Sequence, residues 1–124
     1  MLTREEAAHA HSHFRKWYTH HARTWIERKA GILADRIGVS PHAVNIRDLG
    51  FRWGSCGQKG NVSFNWRCIL LPPPIIEYVV ALELAHLLEP VHSAEFWRRL
   101  ERAMPDYAAR KQWLAENGSR SADW

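Results

Sequence analysis

Cysteine is scarce in this 124-residue chain: only Cys56 and Cys68 are present, twelve positions apart and without CxxC spacing. That scarcity disfavours a disulfide scaffold or a thiolate metal cluster and predicts two reduced thiols, with a cytoplasmic location as the matching expectation. Long apolar runs are missing too. The stretch Cys68 to Leu71 is cut off by Pro72-Pro73-Pro74, no secretory signal follows Met1, and no membrane partner is expected. Low-complexity tracts and internal repeats are absent. Nor is there a block of like charge: 17 Lys+Arg face 13 Asp+Glu for a net charge of +4. The arginines are dispersed through Arg23, Arg28, Arg47, Arg52, Arg67, Arg98, Arg99 and Arg102. Such a surface permits nucleic-acid binding without requiring it and leaves the oligomeric state open.

What is present suits one α+β domain over residues 1–124, since 46% hydrophobic content at this length supports a single modest core. Thr3 followed by Glu6 makes a capping box. Phe14, Trp17, Tyr18, Ala22, Trp25 and Ile26 then recur at helical spacing, predicting a long helix that continues, with a bend at Gly31, through Leu33 and Ile37 to a stop at Gly38. Val44 to Arg47 alternates as a strand. Arg52 to Cys56 and Asn61 to Asn65 flank Gly57-Gln58-Lys59-Gly60 as a hairpin, giving a small antiparallel sheet. The nearly all-round apolar run from Ile75 to Glu89 predicts a buried helix ended by Pro90. Ser93 caps a third helix carrying Phe96, Trp97, Leu100 and Met104, and a last helix spans Tyr107 to Glu116.

The chemistry sits in the buried helix. Leu82-Glu83-Leu84-Ala85-His86, followed by His92, matches the zinc-hydrolase pattern in which two histidines one turn apart bind the metal and a glutamate beside the first activates water. The glutamate and the second histidine are there, but the first-histidine position is Leu82. A buried acid and imidazole must be paired, hydrogen-bonded or metal-bound, so Glu83 and His86 stand out within so apolar a helix.

Arg52-Trp53-Gly54-Ser55-Cys56, Phe64-Asn65-Trp66-Arg67, Tyr78-Val79-Val80, Glu83 to Leu87, His92-Ser93 and Phe96-Trp97, in this order, resemble the YgjP-like zinc metallopeptidases, which are similar to the SprT and minigluzincin-type zincins. The resemblance runs from about Phe14 to Gly118 and implies a zincin-like fold acting on a peptide or protein. Carried over to this chain, the HELAH-x5-H pattern makes Glu83 the catalytic base and His86 and His92 the second and third zinc ligands. Leu82 stands where the first ligand belongs. Relatives of this type are longer, with an amino-terminal strand-rich region that these residues do not include. The resemblance also sets Arg52, Trp53, Gly54, Ser55 and Cys56 beside the active-site helix as an edge strand for an extended peptide. The competing expectation is a core hairpin in which Trp53 and Trp66 only pack.

Leucine brings no lone pair. If a zinc-site free energy of about 10 to 16 kcal/mol is shared among four ligands, losing one costs about 3 to 4 kcal/mol, on the order of a hundred- to thousandfold in affinity. Burying Leu82 returns about 1.5 to 3 kcal/mol to the metal-free fold. Zinc is therefore expected to be weak or absent unless Glu95, Glu89 or a neighbouring chain completes the site. The expected function is an impaired zinc-dependent peptide hydrolase; the alternatives are a catalytically inactive peptide- or nucleic-acid-binding module and a metal-dependent nucleotide phosphohydrolase. His9, His11, His13, His20 and His21 are expected to be exposed helix residues, and Tyr107 a core or surface residue.

Overall fold

A computed structural model describes residues 3–57 and 59–117, with the side chains of 7–15, 18 and 19 set aside. The expectations for Phe14, Tyr18, His9, His11, His13 and Gln58 therefore lie outside the described residues. Helix α1 (Arg4–Ile37) starts on the expected capping box: the Thr3 hydroxyl accepts from the Glu6 N–H at 3.0 Å, and the Glu6 carboxylate accepts from the Thr3 N–H at 3.1 Å. It runs unbroken through Gly31 and ends on Gly38, whose φ of 87° places it in the left-handed region that glycine tolerates. Its buried stripe is Ala22, Ile26, Ala30, Leu33 and Ala34, while Trp17, expected on that stripe, is 50% exposed.

Strands β1 (Ala43–Arg47), β2 (Gly54–Cys56) and β3 (Asn61–Asn65) form one sheet in the order β1-β3-β2. The hairpin pair β2–β3 is antiparallel, but β1 and β3 run parallel, so the sheet is mixed and not purely antiparallel as expected. The cause lies in two chain reversals. One is the turn after β1, where the Arg52 N–H donates to the Leu49 carbonyl and Gly50 takes φ 64°; the other is the hairpin itself. Two reversals restore the original direction and insert β3 between its neighbours. Because Arg52 and Trp53 belong to that turn, β2 is shorter than the predicted Arg52–Cys56.

A 3-10 turn (Trp66–Leu70) leads into α2 (Pro73–Ala85). Pro73 and Pro74 occupy the first helical positions, where a missing N–H costs nothing. From Ile75 to Ala85 every residue of α2 except Glu77 is buried, making it the axis of the core, which it shares with Ile26, Phe64, Phe96, Leu100 and Leu114. The helix stops four residues short of the predicted Glu89. Leu87 and Leu88 N–H groups bond to the carbonyls of Leu84 and Ala85, three residues back, tightening the chain before Pro90. Helix α3 (Ala94–Ala103) begins on Ser93, whose hydroxyl accepts from the Phe96 N–H, and α4 (Tyr107–Asn117) is pinned to α2 by Arg110, which bonds Glu77 and the Pro74 carbonyl at 3.0 Å each. Among the described residues no helix is long and apolar enough to cross a membrane.

Candidate metal centre

The last turn of α2 and the bend beyond it bring the candidate residues together. Glu83 is 4% exposed and its side chain lies under β2. A Cβ added to Gly54 would stand 2.8 Å from the Glu83 Cγ and 3.3 Å from the Ser63 carbonyl oxygen, closer than real carbons approach. Glycine at this strand position is what lets β2 close over the carboxylate. Burial pushes the Glu83 carboxyl up to about 7, with the positive charge of Arg52 pulling the other way.

His86 follows directly as the C-cap residue of α2. Its Nδ1 lies 3.2 Å from the Glu89 carbonyl oxygen, an atom that only accepts, so Nδ1 carries the proton and the neutral ring presents a bare Nε2. That Nε2 sits 2.8 Å from the Nε2 of His92, which donates. The two rings stack with centroids 4.7 Å apart and planes 20° off parallel, and both rest on Phe96. Burial lowers the proton affinity of His86, the Glu89 carbonyl opposes that, and His92 adds to it. A backbone carbonyl fixing the tautomer in this way is how metal-binding imidazoles are oriented.

Two nitrogens bound to one tetrahedral zinc at ~2.0–2.1 Å stand roughly 3.3 Å apart, so the 2.8 Å pair is a hydrogen bond that would have to open and lose its shared proton to become two ligands. The third ligand is missing. Leu82 shares the helix face of His86 by the four-residue spacing, yet its side chain is 1% exposed and belongs to the apolar core. The proposed substitutes are engaged elsewhere: Glu95 bonds Arg98 at 2.6 Å and Arg99 at 3.2 Å, and Glu89 faces Arg99 at 3.8 Å. Among the described residues no three His, Cys, Asp or Glu side chains are grouped to hold an ion. The donor set present therefore does not fit a catalytic zinc, which needs three protein ligands and an open position.

Glu83 and His86 line a cleft of about 390 Å³ with Arg52, Cys56, Leu87 and Pro90. Of the five predicted substrate-strand residues, Arg52 and Cys56 reach this cleft and Gly54 touches Glu83. Ser55 pairs with Ser63, and Trp53 packs against the core. The bonds Asn65 N–H to Trp53 O and Gly57 N–H to Asn61 O, both 2.8 Å, fix the alternation along β2. The N–H and C=O groups of Gly54 and Cys56 consequently turn away from β3. Cys56 and Cys68 are free thiols, both raised in proton affinity by burial, and Cys68 donates to the Trp53 carbonyl. His20 and His21 are exposed on α1, and Tyr107 stacks on Trp97. Sequence reasoning missed Asn65, 1% exposed, whose amide holds the turn before β2; its signal was a lone asparagine beside Phe64 and Trp66.

A family model described as YgjP-like, metallopeptidase domain, matches residues 1–117. The chain belongs to the YgjP-like family. Its fold is also similar to the crystal structure of the metallopeptidase zymogen of Pyrococcus abyssi abylysin, with a TM-score of 0.65 and 22% identity over 76% of this chain and 96% of that one. No curated protein matches the chain. The YgjP-like assignment covers β2, α2 and the bend to His92 in one stretch, the segments that build the cleft.

Proposed function

We propose that this YgjP-like domain is a zinc-metallopeptidase-type hydrolase whose peptide-bond chemistry is impaired by Leu82, and that its cleft still holds an extended peptide. The observation that carries this reading is a cleft beside α2 lined by both Glu83 and His86, with His92 hydrogen-bonded to His86, in a chain of this family. In a complete site of this kind the metal supplies Lewis acidity and an acidified water. With leucine at position 82 the remaining side chains keep narrower tasks.

Glu83, its proton affinity raised by burial, takes up or gives back a proton at its carboxyl oxygens. The outward backbone groups of Gly54 and Cys56 pair with an extended chain as an added strand, which fixes its direction without demanding a particular side chain. His86 keeps an unprotonated Nε2 toward His92. The test is Leu82→His with peptide cleavage and zinc uptake measured together, and Glu83→Gln added on top. The expected result is zinc uptake with cleavage, and loss of cleavage but not of zinc in the double variant. Zinc uptake without any cleavage across a mixed peptide library would reject the peptidase reading.

A further inference from the structure

Arg52 stands between two hollows. Besides the cleft it shares with Glu83, it lines a second cavity of about 510 Å³ together with Asp48, Phe51, Trp53, Asn65 and Arg67. The walls of this second cavity are fixed by one buried amide. Asn65 donates through Nδ2 to the carbonyls of Gly50 at 3.1 Å and Arg52 at 2.9 Å, and its Oδ1 accepts from the Arg67 N–H at 3.1 Å. Asp48 adds a second staple, accepting from the Gly50 N–H at 2.9 Å and from Arg67 Nη1 at 3.0 Å. A cavity ordered in advance loses little entropy when it is filled.

Its charges are unevenly matched. Asp48 is taken by Arg67, whereas Arg52 is exposed, in no salt bridge with a described residue, and its positive charge acts on Glu83 across the neighbouring cleft. Phe51, 75% exposed, and Trp53 supply apolar flanks. Arg52 lies in the turn two residues before Gly54, which abuts Glu83, and lines the cleft together with Glu83. A peptide paired at Gly54 and Cys56 thus leaves the strand beside Arg52.

We propose that this cavity is a specificity subsite in which Arg52 binds a carboxylate of the peptide held in the cleft, with Phe51 and Trp53 flanking its aliphatic stem. The inference rests on the peptide-cleft reading and names its substrate class: acidic peptides. A guanidinium with spare donors recognises a carboxylate through paired, charge-assisted hydrogen bonds, which a point charge matches less well. The carboxylate has two sources, an acidic side chain or the peptide's own carboxyl terminus.

The test uses the chain as it stands, without metal, and needs no turnover. Blocked hexapeptides carrying Glu or Gln at each position in turn, and one neutral sequence with a free or amidated carboxyl terminus, are titrated by calorimetry. A roughly tenfold preference for the carboxylate member of one pair is expected, lost in Arg52→Gln, partly kept in Arg52→Lys and untouched in Arg102→Gln on the exposed face of α3. Preference at an internal position identifies a side chain, and preference only at the free terminus identifies the chain end; either supports the subsite. Equal binding of every pair, or a preference that survives Arg52→Gln, overturns the subsite and leaves the peptide cleft standing. Absence of binding by all of the peptides overturns both.

Discussion

Replacing Glu83 by glutamine should change the stability of the fold in a pH-dependent way. An ordinary glutamate titrates near 4.5, and burial moves Glu83 to about 7. Between these values the folded chain holds a proton that the unfolded chain has released, so stability falls as pH rises through the window. At 1.36 kcal/mol per pH unit the full loss is about 3 kcal/mol, complete above pH 7 and absent below pH 4.5. Glutamine keeps the volume and never ionises. Glu83→Gln should therefore gain up to about 3 kcal/mol on the parent between pH 4.5 and pH 8, on the order of 10 °C in melting temperature. His86 has the opposite sign: with its proton affinity lowered, it costs stability as pH falls below about 6.5. That term is common to both chains and cancels in the difference. The assay is urea unfolding of parent and variant in chelator at several pH values. A difference in stability that is the same at pH 4.5 and pH 8 would refute the buried-carboxylate argument.

Gly54→Ala should cost about 1 to 3 kcal/mol, because the new methyl meets the Glu83 side chain at 2.8 Å; thermal melts of Gly54→Ala with and without Glu83→Ala check it, since shortening Glu83 should recover most of the loss. Gly31→Ala should stabilise the fold by about 0.5 to 1 kcal/mol, since Gly31 is inside α1 and its added Cβ meets nothing within 4 Å; a lower midpoint in urea would contradict the continuous-helix assignment.

Local signals were legible wherever chemistry and geometry are set by neighbours in the chain. The Thr3–Glu6 capping box, the Gly38 stop, the Ser93 cap and the convergence of His86 with His92 across the Pro90 bend could all be read from short spacings. The parallel pairing of β1 with β3 could not, because hydrophobic alternation carries no information on strand order. The end of α2 was misplaced because the apolar run continues to Leu88, and what decides the boundary is the tightening before Pro90. Trp17 shows the limit of periodicity: spacing put it on the buried stripe, but among the described side chains of α1 burial begins at Ala22. The contact of Gly54 against Glu83 was not legible, because it depends on how β2 crosses α2.

On the proposal above, Leu82 leaves the metal site one ligand short. Bound zinc per chain, measured by equilibrium dialysis for the parent and for Leu82→His, tests it most directly. One zinc per chain is expected in Leu82→His, held on the order of a hundred- to thousandfold more tightly than in the parent, with a metal-free Leu82→His fold less stable than the parent by about 2 kcal/mol or more. Equal zinc affinity in the two chains would contradict it.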